Sequence, residues 1–314
     1  MRNIFINTIL DETKKNKNIF IVSGDAGLGV FDKHKDEYPD QFLNMGVAEQ
    51  NAASFCAGLA LTGYKVYLYN IIPFLLYRCY EQVRNDICYQ ELPVVLVGIG
   101  SGITYAPQGM THYSIEDIGI AQTLPNLTVF SPIDPVEANA VAEYSLKSKM
   151  PVYVRLPKRG EPDIHKKEIK DITMPQVVAE GEDIAIIFHG SISIEVVAAA
   201  RKLKKKNINP MLISVPMVQP LRFKELEKML KNIKQVVCVE EHYSNCGLSS
   251  ILGRESLKKS SKWKLHLLGI PVNFIHKILK MEAMRASFGI SADAIAKYVV
   301  KINREGQLGI GHKR

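Results

Sequence analysis

The segment 45–63, MGVAEQNAASFCAGLALTG, decides how the rest of the chain is interpreted. Its single carboxylate, Glu49, stands directly before a run of small and apolar residues that ends at Gly63. Such a run is typical of a buried helix closed by a glycine. A glutamate at the start of a buried helix has two interpretations. It caps the helix or pairs with a lysine, or it shares a proton with a ring nitrogen of a cofactor.

The segments on both sides of this helix alternate between strands and helices. Apolar runs predict strands at 18–26, 64–71, 92–100, 127–134 and 151–157, and the segments 74–88, 115–124 and 135–148 predict helices. Strands that alternate with helices indicate a parallel, doubly wound α/β sheet. Residues 1–17 have no long apolar core and no small-residue cleavage site, so they predict a first helix and not a signal peptide.

The composition changes after this first unit. Residues 158–176 are charged, contain two prolines and show no sustained period. A second α/β unit follows, with apolar runs at 182–190, 210–218 and 234–242 and helical segments at 193–207 and 221–232. We therefore predict a first domain at 1–160, a linker at 161–180 and a second, smaller α/β domain at 181–314.

The bulk composition excludes several classes of protein. The chain has 314 residues, of which 46% are hydrophobic and 23% charged, as expected for a soluble globular protein. It has no apolar run long enough for a membrane helix. The five cysteines are odd in number and form no CxxC pair, which argues against a disulfide framework, and His242 and Cys246 lack the second pair that zinc needs. We expect no metal site and a cytoplasmic location.

The net charge of +8 comes from lysine clusters such as KKNK, HKKEIK and RKLKKK. These clusters alternate with amphipathic helices and carry no aromatic RNA-binding motif, so solvated helix faces are favoured over a nucleic-acid surface. A positive charge also suits small anionic substrates, such as sugar phosphates.

Several motifs, in order along the chain, point to one family. Residues 44–86, NMGVAEQNAASFCAGLALTGYKVYLYNIIPFLLYRCYEQVRND, resemble the pyrimidine-binding domain of transketolase-like thiamine-diphosphate enzymes. GSGITYAPQGMTHYSIEDIGIAQTLPNLTVFSPIDPVEA (100–138) is similar to the substrate-side segment of that family, and VYVRLPKRG (152–160) to its phosphate-reaching strand end. VEEHYSNCGLSS (239–250) and GISADAIAKYV (289–299) resemble its C-terminal domain.

The resemblance assigns cofactor-binding roles to four residues. It implies that Glu49 hydrogen-bonds N1′ of the aminopyrimidine ring and favours the imino tautomer, which requires a site without water. Phe74 falls where the family stacks an aromatic ring on the pyrimidine, with Tyr77 as the alternative, although simple packing explains either residue equally well. Asp25, in the turn GDAG, falls at a strand end that faces the cofactor.

The resemblance also assigns substrate-binding roles. It implies that His112 contacts a substrate oxygen and takes part in proton transfer. The family often has an acidic residue four positions earlier, where this chain has Gln108, and the uncharged amide makes the usual sugar substrate uncertain. Arg155, Lys158 and Arg159 form a basic cluster that can hold a phosphate, with Lys158 at the position of a family arginine, or that is simply exposed.

A missing motif predicts a partner. The family holds the cofactor diphosphate through a divalent metal and a Gly-Asp-Gly…Asn motif in a separate domain, and this chain has only GDAG. The resemblance therefore implies an N-terminal partner subunit that holds Mg²⁺ or Ca²⁺ and the diphosphate of thiamine diphosphate. Because the family places its cofactor between two chains, we expect an α2β2 heterotetramer.

The resulting hypothesis is the C-terminal subunit of a split transketolase, an enzyme of carbohydrate metabolism that transfers a two-carbon ketol unit between sugar phosphates. One alternative is the β chain of a 2-oxo-acid dehydrogenase. Another is a subunit like deoxyxylulose-phosphate synthase, an option that the segment YRCYEQV keeps open, whereas the basic cluster favours a phosphate over a small oxo acid. The last is a non-catalytic paralogue, against which the presence of both Glu49 and His112 argues.

Overall fold

The computed structural model describes residues 1–27, 29–158 and 161–311, with side chains through Glu305. Its helices are α1 Arg2–Thr13, α2 Asp32–Glu37, α3 Glu49–Leu61, α4 Tyr80–Gln82, α5 Asp117–Ala121, α6 Pro135–Lys147, α7 Ser193–Lys204, α8 Phe223–Met229, α9 Leu248–Lys259, α10 Met281–Ser287 and α11 Ala292–Gly311. Its strands are β1 Ile19–Ser23, β2 Phe42–Asn44, β3 Lys65–Ile71, β4 Val94–Ile99, β5 Thr128–Phe130, β6 Val152–Leu156, β7 Gln176–Ala179, β8 Ile184–Phe188, β9 Pro210–Ser214, β10 Met217–Gln219, β11 Gln235–Tyr243 and β12 Lys264–Ile270.

The first seven-stranded sheet has the order β10-β5-β6-β4-β3-β1-β2. Six of its strands are parallel, and β10 pairs antiparallel with β5 at one edge. Every residue of β4 and β6 is buried, as expected for strands covered by helices on both faces. The parallel, doubly wound sheet predicted from the apolar runs is confirmed.

The second sheet has five strands in the order β12-β11-β8-β9-β7. Its strands are parallel except β7, which pairs antiparallel with β9. Helices α7 and α11 pack against each other and contact this sheet. The predicted second α/β domain is therefore present, and among the described residues no helix is long and apolar enough to cross a membrane.

Two strands depart from the predicted organisation. The predicted linker, 161–180, contains strand β7. The sequence did not predict this strand, because a proline precedes it and because its exposed Val177 is not part of a buried apolar run. The apolar run 210–218 is two strands, because its first half is β9 of the second sheet and its second half enters β10 of the first. The carbonyl oxygen of Pro216 accepts a hydrogen bond from the backbone N–H of Ser131 at 2.7 Å, so the two units are joined by backbone pairing.

The helical segment predicted at 74–88 forms, but with wide turns. Residues Pro73–Tyr77 and Val83–Cys88 are π-helical and flank the single turn α4. The backbone N–H of Arg78 bonds to the carbonyl oxygen of Pro73 at 3.1 Å, which is the five-residue spacing of a π-turn. Such turns change which side chains share a helix face, and they are frequent at functional sites.

Candidate functional site

Glu49 is the first residue of α3, at the end of a turn that leaves the sheet. Its side chain is 7% exposed. The helix behind it buries a face of small side chains, which are Ala52, Ala53, Cys56, Ala57 and Ala60. Small side chains allow α3 to lie close to the sheet, so the carboxylate sits where the helix meets the carboxyl edge of the parallel strands.

The partner of Glu49 is Arg78, a residue to which the sequence assigned no role. Nη1 of Arg78 donates a hydrogen bond to Oε2 of Glu49 at 2.8 Å. The same guanidinium lies over the ring of Phe74, with its central carbon 4.6 Å from the ring centroid. A planar donor group therefore lies between the carboxylate of Glu49 and the face of Phe74.

His112 approaches the same place from a different part of the chain. Its ring meets that of Phe74 edge to face, with the centroids 5.5 Å apart, and lies 6.3 Å from the ring of Tyr105. Nδ1 of His112 is hydrogen-bonded to the hydroxyl of Thr111 at 2.8 Å, which leaves Nε2 for a ligand. The structure thus brings together three residues that are far apart in sequence: Glu49, Phe74 and His112.

Lys158 and Gln108 both contact Tyr105. Nζ of Lys158 is 4.9 Å from the centroid of the Tyr105 ring. With its amide turned so that the nitrogen donates to the Tyr105 carbonyl oxygen, Gln108 accepts a hydrogen bond from Nζ of Lys158 at 3.3 Å. The lysine and the amide predicted to bind substrate are therefore neighbours of each other, and the ring of Tyr105 lies near both Lys158 and His112.

Arg155 does not belong to this group, and its predicted role in phosphate binding is wrong. It is 1% exposed. Its Nε and Nη2 donate to the two carboxylate oxygens of Asp117 at 2.6 and 3.1 Å. Burial alone would raise the pKa of Asp117, but the charge and hydrogen bonds of Arg155, together with His242 and the hydrogen bond from Tyr153, hold that pKa below its usual value. Arg155 is thus an interior partner of Asp117 and cannot reach a ligand.

The remaining predicted residues have separate surroundings. The hydroxyl of Tyr77 bonds to Ser114 at 2.5 Å and to Glu116 at 3.0 Å, and its ring packs against the core, which favours the packing interpretation over a stack on the cofactor. Asp25 is exposed in a neighbouring pocket of about 160 Å³, next to the turn that precedes Glu49, since its N–H donates to the carbonyl oxygen of Gly46. Arg159 lies outside the described residues.

Sequence reasoning missed Arg78 and Tyr105. Arg78 stands in the segment YRCYEQV, four positions after Phe74, and that spacing is a signal for contact on a helix. Because Pro73–Tyr77 is π-helical, however, the spacing of a regular α-helix does not apply to this segment. Tyr105 carries no sequence signal beyond its position in the segment before His112.

These residues fit one part of a thiamine cofactor. The guanidinium of Arg78 shows that a flat, hydrogen-bond-donating group can lie on Phe74 and reach Glu49, and an aminopyrimidine ring presents the same two features. Among the described residues there is no cluster of three His, Cys, Asp or Glu side chains that could hold a metal ion. Glu49 and Phe74 thus present contacts that suit the ring.

The fold and this site define a class of protein, and comparison with known families agrees. Residues 1–162 match the family "Transketolase, pyrimidine binding domain", and residues 175–295 match "Transketolase, C-terminal domain". The chain therefore belongs to the transketolase family. Its cofactor class is that of thiamine-diphosphate enzymes.

Comparison with individual relatives makes the family assignment more specific. The chain is 32% identical to a subunit of the apulose-4-phosphate transketolase of Actinobacillus succinogenes, over 96% of this chain and 98% of that protein. It is 34% identical to 1-deoxy-D-xylulose-5-phosphate synthase of Caldanaerobacter subterraneus, but covers only 43% of it. A solved structure described as "Split gene transketolase, inactive beta4 tetramer" superposes with a TM-score of 0.86 at 25% identity, covering 96% of this chain and 97% of that one. The chain is thus homologous to the C-terminal subunit of split transketolases.

Proposed function

We propose that this chain, with an N-terminal partner subunit, transfers a two-carbon ketol unit from a ketose phosphate to an aldose acceptor. The observation that carries the proposal is that Glu49, Phe74 and His112 meet at one site although 63 residues separate the first from the last. The full-length similarity to one subunit of a transketolase supports the division of the enzyme into more than one chain.

Glu49 and Phe74 would hold the aminopyrimidine ring of thiamine diphosphate. When bound, this cofactor supplies the carbon nucleophile that cleaves the bond beside a ketose carbonyl. Glu49 shares a proton with a ring nitrogen, and Phe74 packs against the ring face. Because Glu49 is almost fully buried, its hydrogen bond is not weakened by water. When the ring binds, the guanidinium of Arg78 must leave its position between Glu49 and Phe74, or remain at the edge of the ring site.

His112 and Lys158 would act on the substrate. A histidine with one ring nitrogen free can move a proton at the substrate hydroxyl or carbonyl oxygen near the reacting carbon. Lys158 would attract the substrate phosphate, with Gln108 beside it to read a hydroxyl. Arg159 stays a candidate for the same phosphate, and Asp25 for the cofactor.

The partner subunit would complete the site. We propose that it carries the metal, Mg²⁺ or Ca²⁺, together with the diphosphate, and that the assembly is an α2β2 heterotetramer in the cytoplasm. The homologous β chain is described as inactive when it forms a tetramer of β subunits, which is consistent with a partner being needed. The five cysteines are free thiols, as in a reducing compartment.

The test is reconstitution. The chain is mixed with a partner subunit that carries the Gly-Asp-Gly…Asn motif, thiamine diphosphate and Mg²⁺, and ketol transfer from a ketose phosphate to an aldose is measured. We expect activity only when both chains are present. Activity of this chain alone, or none with the partner on any ketose phosphate, would contradict the proposal.

A second candidate function rests on the similarity to the synthase. The 34% identity to 1-deoxy-D-xylulose-5-phosphate synthase over 85% of this chain keeps condensation of a 2-oxo acid with an aldose phosphate open. The same reconstituted mixture distinguishes the two by donor: ketol transfer needs a ketose phosphate, and condensation needs pyruvate and releases carbon dioxide.

A further inference from the structure

His112 and Gln108 lie on a closed loop, residues 101–114, whose two ends are fixed by hydrogen bonds within the first domain. Ser101 and Gly102 both pair with Ser114, and the N–H of Ser114 donates to the carbonyl oxygen of Gly102 at 2.9 Å. The N–H of Ser101 donates to Leu156 at the end of β6. Between these contacts the loop has short-range backbone hydrogen bonds of its own, among them those from the N–H groups of Gln108 and His112 to the carbonyl oxygens of Tyr105 and Gly109. Its position relative to the sheet depends in addition on what packs against it.

The second domain provides that support. Four residues that belong to this loop or directly follow it are buried in the core of the second domain: Ile103, Ala106, Tyr113 and Ile115. Helix α10 packs against the short turn Ala106–Gln108. The N–H of Tyr243, on β11, donates to the carbonyl oxygen of Ile115 at 2.9 Å.

A buried ion pair lies at the centre of this contact. Oε1 of Glu241 accepts a hydrogen bond from Nε of Arg285, and both residues are 2% exposed or less. Oε2 of Glu241 accepts from the hydroxyl of Ser191 at 2.7 Å and from the N–H of Ile103 at 3.4 Å. Arg285 also bonds to the carbonyl oxygen of Ser191 at 3.1 Å. Glu241 therefore connects the backbone of the loop to α10.

Gly102 shows how closely the loop rests on this pair. Its φ is +60°, and a Cβ atom placed there would lie 2.3 Å from Oε2 of Glu241. Only glycine permits both the left-handed backbone and this approach. The carboxylate of Glu241 therefore packs directly against the backbone at the start of the loop, at Gly102.

We propose that Glu241 and Arg285 of the second domain are positioning residues for the reaction: they fix the 101–114 loop so that His112 meets Phe74. This proposal rests on the proposed function. The physical reason is that a displacement of about 1 Å at a reacting group can lower the rate about 100-fold. Among the described residues, neither member of the pair hydrogen-bonds to Glu49, Phe74 or His112, although Arg285 lines a pocket of about 260 Å³ together with Lys158.

The test compares four variants in the reconstituted enzyme. Glu241→Gln keeps the shape of the side chain, Arg285→Met removes the cation, and Arg285→Lys restores its charge. Glu240→Gln is the matched control, because Glu240 is the adjacent, fully buried carboxylate on β11 but caps α9 through Leu248 and Ser249 instead of touching the loop.

We expect kcat for ketol transfer to fall about 10- to 100-fold in Glu241→Gln and Arg285→Met, with thiamine-diphosphate affinity unchanged and partial recovery in Arg285→Lys. Glu240→Gln should lower the melting temperature without this fall in kcat. Equal kcat values for Glu241→Gln and Glu240→Gln, or a fall explained by weaker cofactor binding, would overturn the proposal.

Hydrogen exchange in the full chain separates this proposal from the proposed function. Amides of residues 101–112 should exchange several-fold faster in Glu241→Gln than in Glu240→Gln. If the wild-type mixture shows no ketol transfer, the proposed function fails, yet the exchange comparison still decides whether the pair holds the loop. Identical exchange in the two variants would contradict the positioning role.

Discussion

Single side chains in the site divide into those that a ligand can reach and those that hold the interior together. Glu49, Phe74, His112 and Lys158 were predicted from motifs, and the structure places the first three in mutual contact through Arg78 and through ring packing. Arg155 belongs to the interior, although it lies three positions before Lys158 on the same strand end. Alternation along β6 does not reveal this, because every residue of that strand is buried.

The difference between Lys158 and Arg155 gives the first prediction. Lys158→Gln should raise KM for a phosphorylated ketose about 10-fold, the loss of one charged contact, and leave KM for the unphosphorylated ketose nearly unchanged. Steady-state kinetics on both substrates measures this, with the exposed Lys149→Gln as control. An equal rise for both substrates would remove Lys158 from the phosphate site.

For Arg155 we expect a loss of stability instead. Arg155→Met leaves Asp117 charged and buried without its partner, which should lower the free energy of unfolding by about 3–5 kcal/mol. Urea denaturation of the full chain measures the change. A stable variant with weakened phosphate affinity would restore the original prediction for Arg155.

Among the elements, long apolar runs were predictable and short ones were not. The runs at 64–71 and 92–100 became β3 and β4, because strands that are buried along most of their length are largely apolar. β7 and β10 have four and three residues and lie at sheet edges, so their sequences need not be apolar. The site was predictable to a similar extent. A motif predicted Glu49, but no sequence pattern indicated the π-turn at Pro73–Tyr77 that directly precedes its partner Arg78.

The start of α6 gives a pH prediction. Glu137 is fully buried, and burial raises its pKa from 4.5 to about 7, although Ser214 and the N–H of Ile133 bond to it. A raised pKa means that the folded protein keeps a proton that the unfolded chain releases. This stabilisation is therefore present below about pH 4.5 and is lost as the pH rises through about 7.

The neighbouring His165 acts in the same direction. Burial opposes its charge, but the hydrogen bond to Asp134 raises the pKa of His165 above its usual value, so its stabilisation is also lost as the pH rises. Between pH values of about 5 and 8, the unfolding free energy of the wild type should fall by on the order of 2–3 kcal/mol relative to Glu137→Gln. Denaturant titrations at several pH values test this, and parallel profiles for the two proteins would contradict it.

The whole molecule is two α/β units that share a strand and a substrate-side loop. β10 comes from the second unit and completes the first sheet, and the 101–114 loop comes from the first and packs into the second core. Sequence patterns predicted both units. They did not predict that β10 and the 101–114 loop each pack into the other unit, because this depends on contacts between segments far apart in the chain. The arrangement places the core of the second domain against the loop that carries His112.

The same arrangement predicts a dependence on the partner subunit. In the proposed site Glu49 and Phe74 hold the pyrimidine ring, and among the described residues no cluster of three His, Cys, Asp or Glu side chains could hold a metal ion for the diphosphate. Calorimetric titration with thiamine diphosphate and Mg²⁺ should therefore show no saturable binding to the chain alone at concentrations that saturate the two-chain complex. Equal affinity with and without the partner would mean that this chain holds the whole cofactor.

The most direct measurement is the effect of Glu49→Gln on the two-chain enzyme, with Glu81→Gln, an exposed carboxylate on α4, as control. We predict that Glu49→Gln lowers kcat for ketol transfer about 10²- to 10⁴-fold, because the amide cannot share a proton with the pyrimidine ring, while assembly with the partner is retained. Glu81→Gln should keep wild-type turnover. Wild-type turnover in Glu49→Gln would contradict the assignment of this carboxylate to the cofactor.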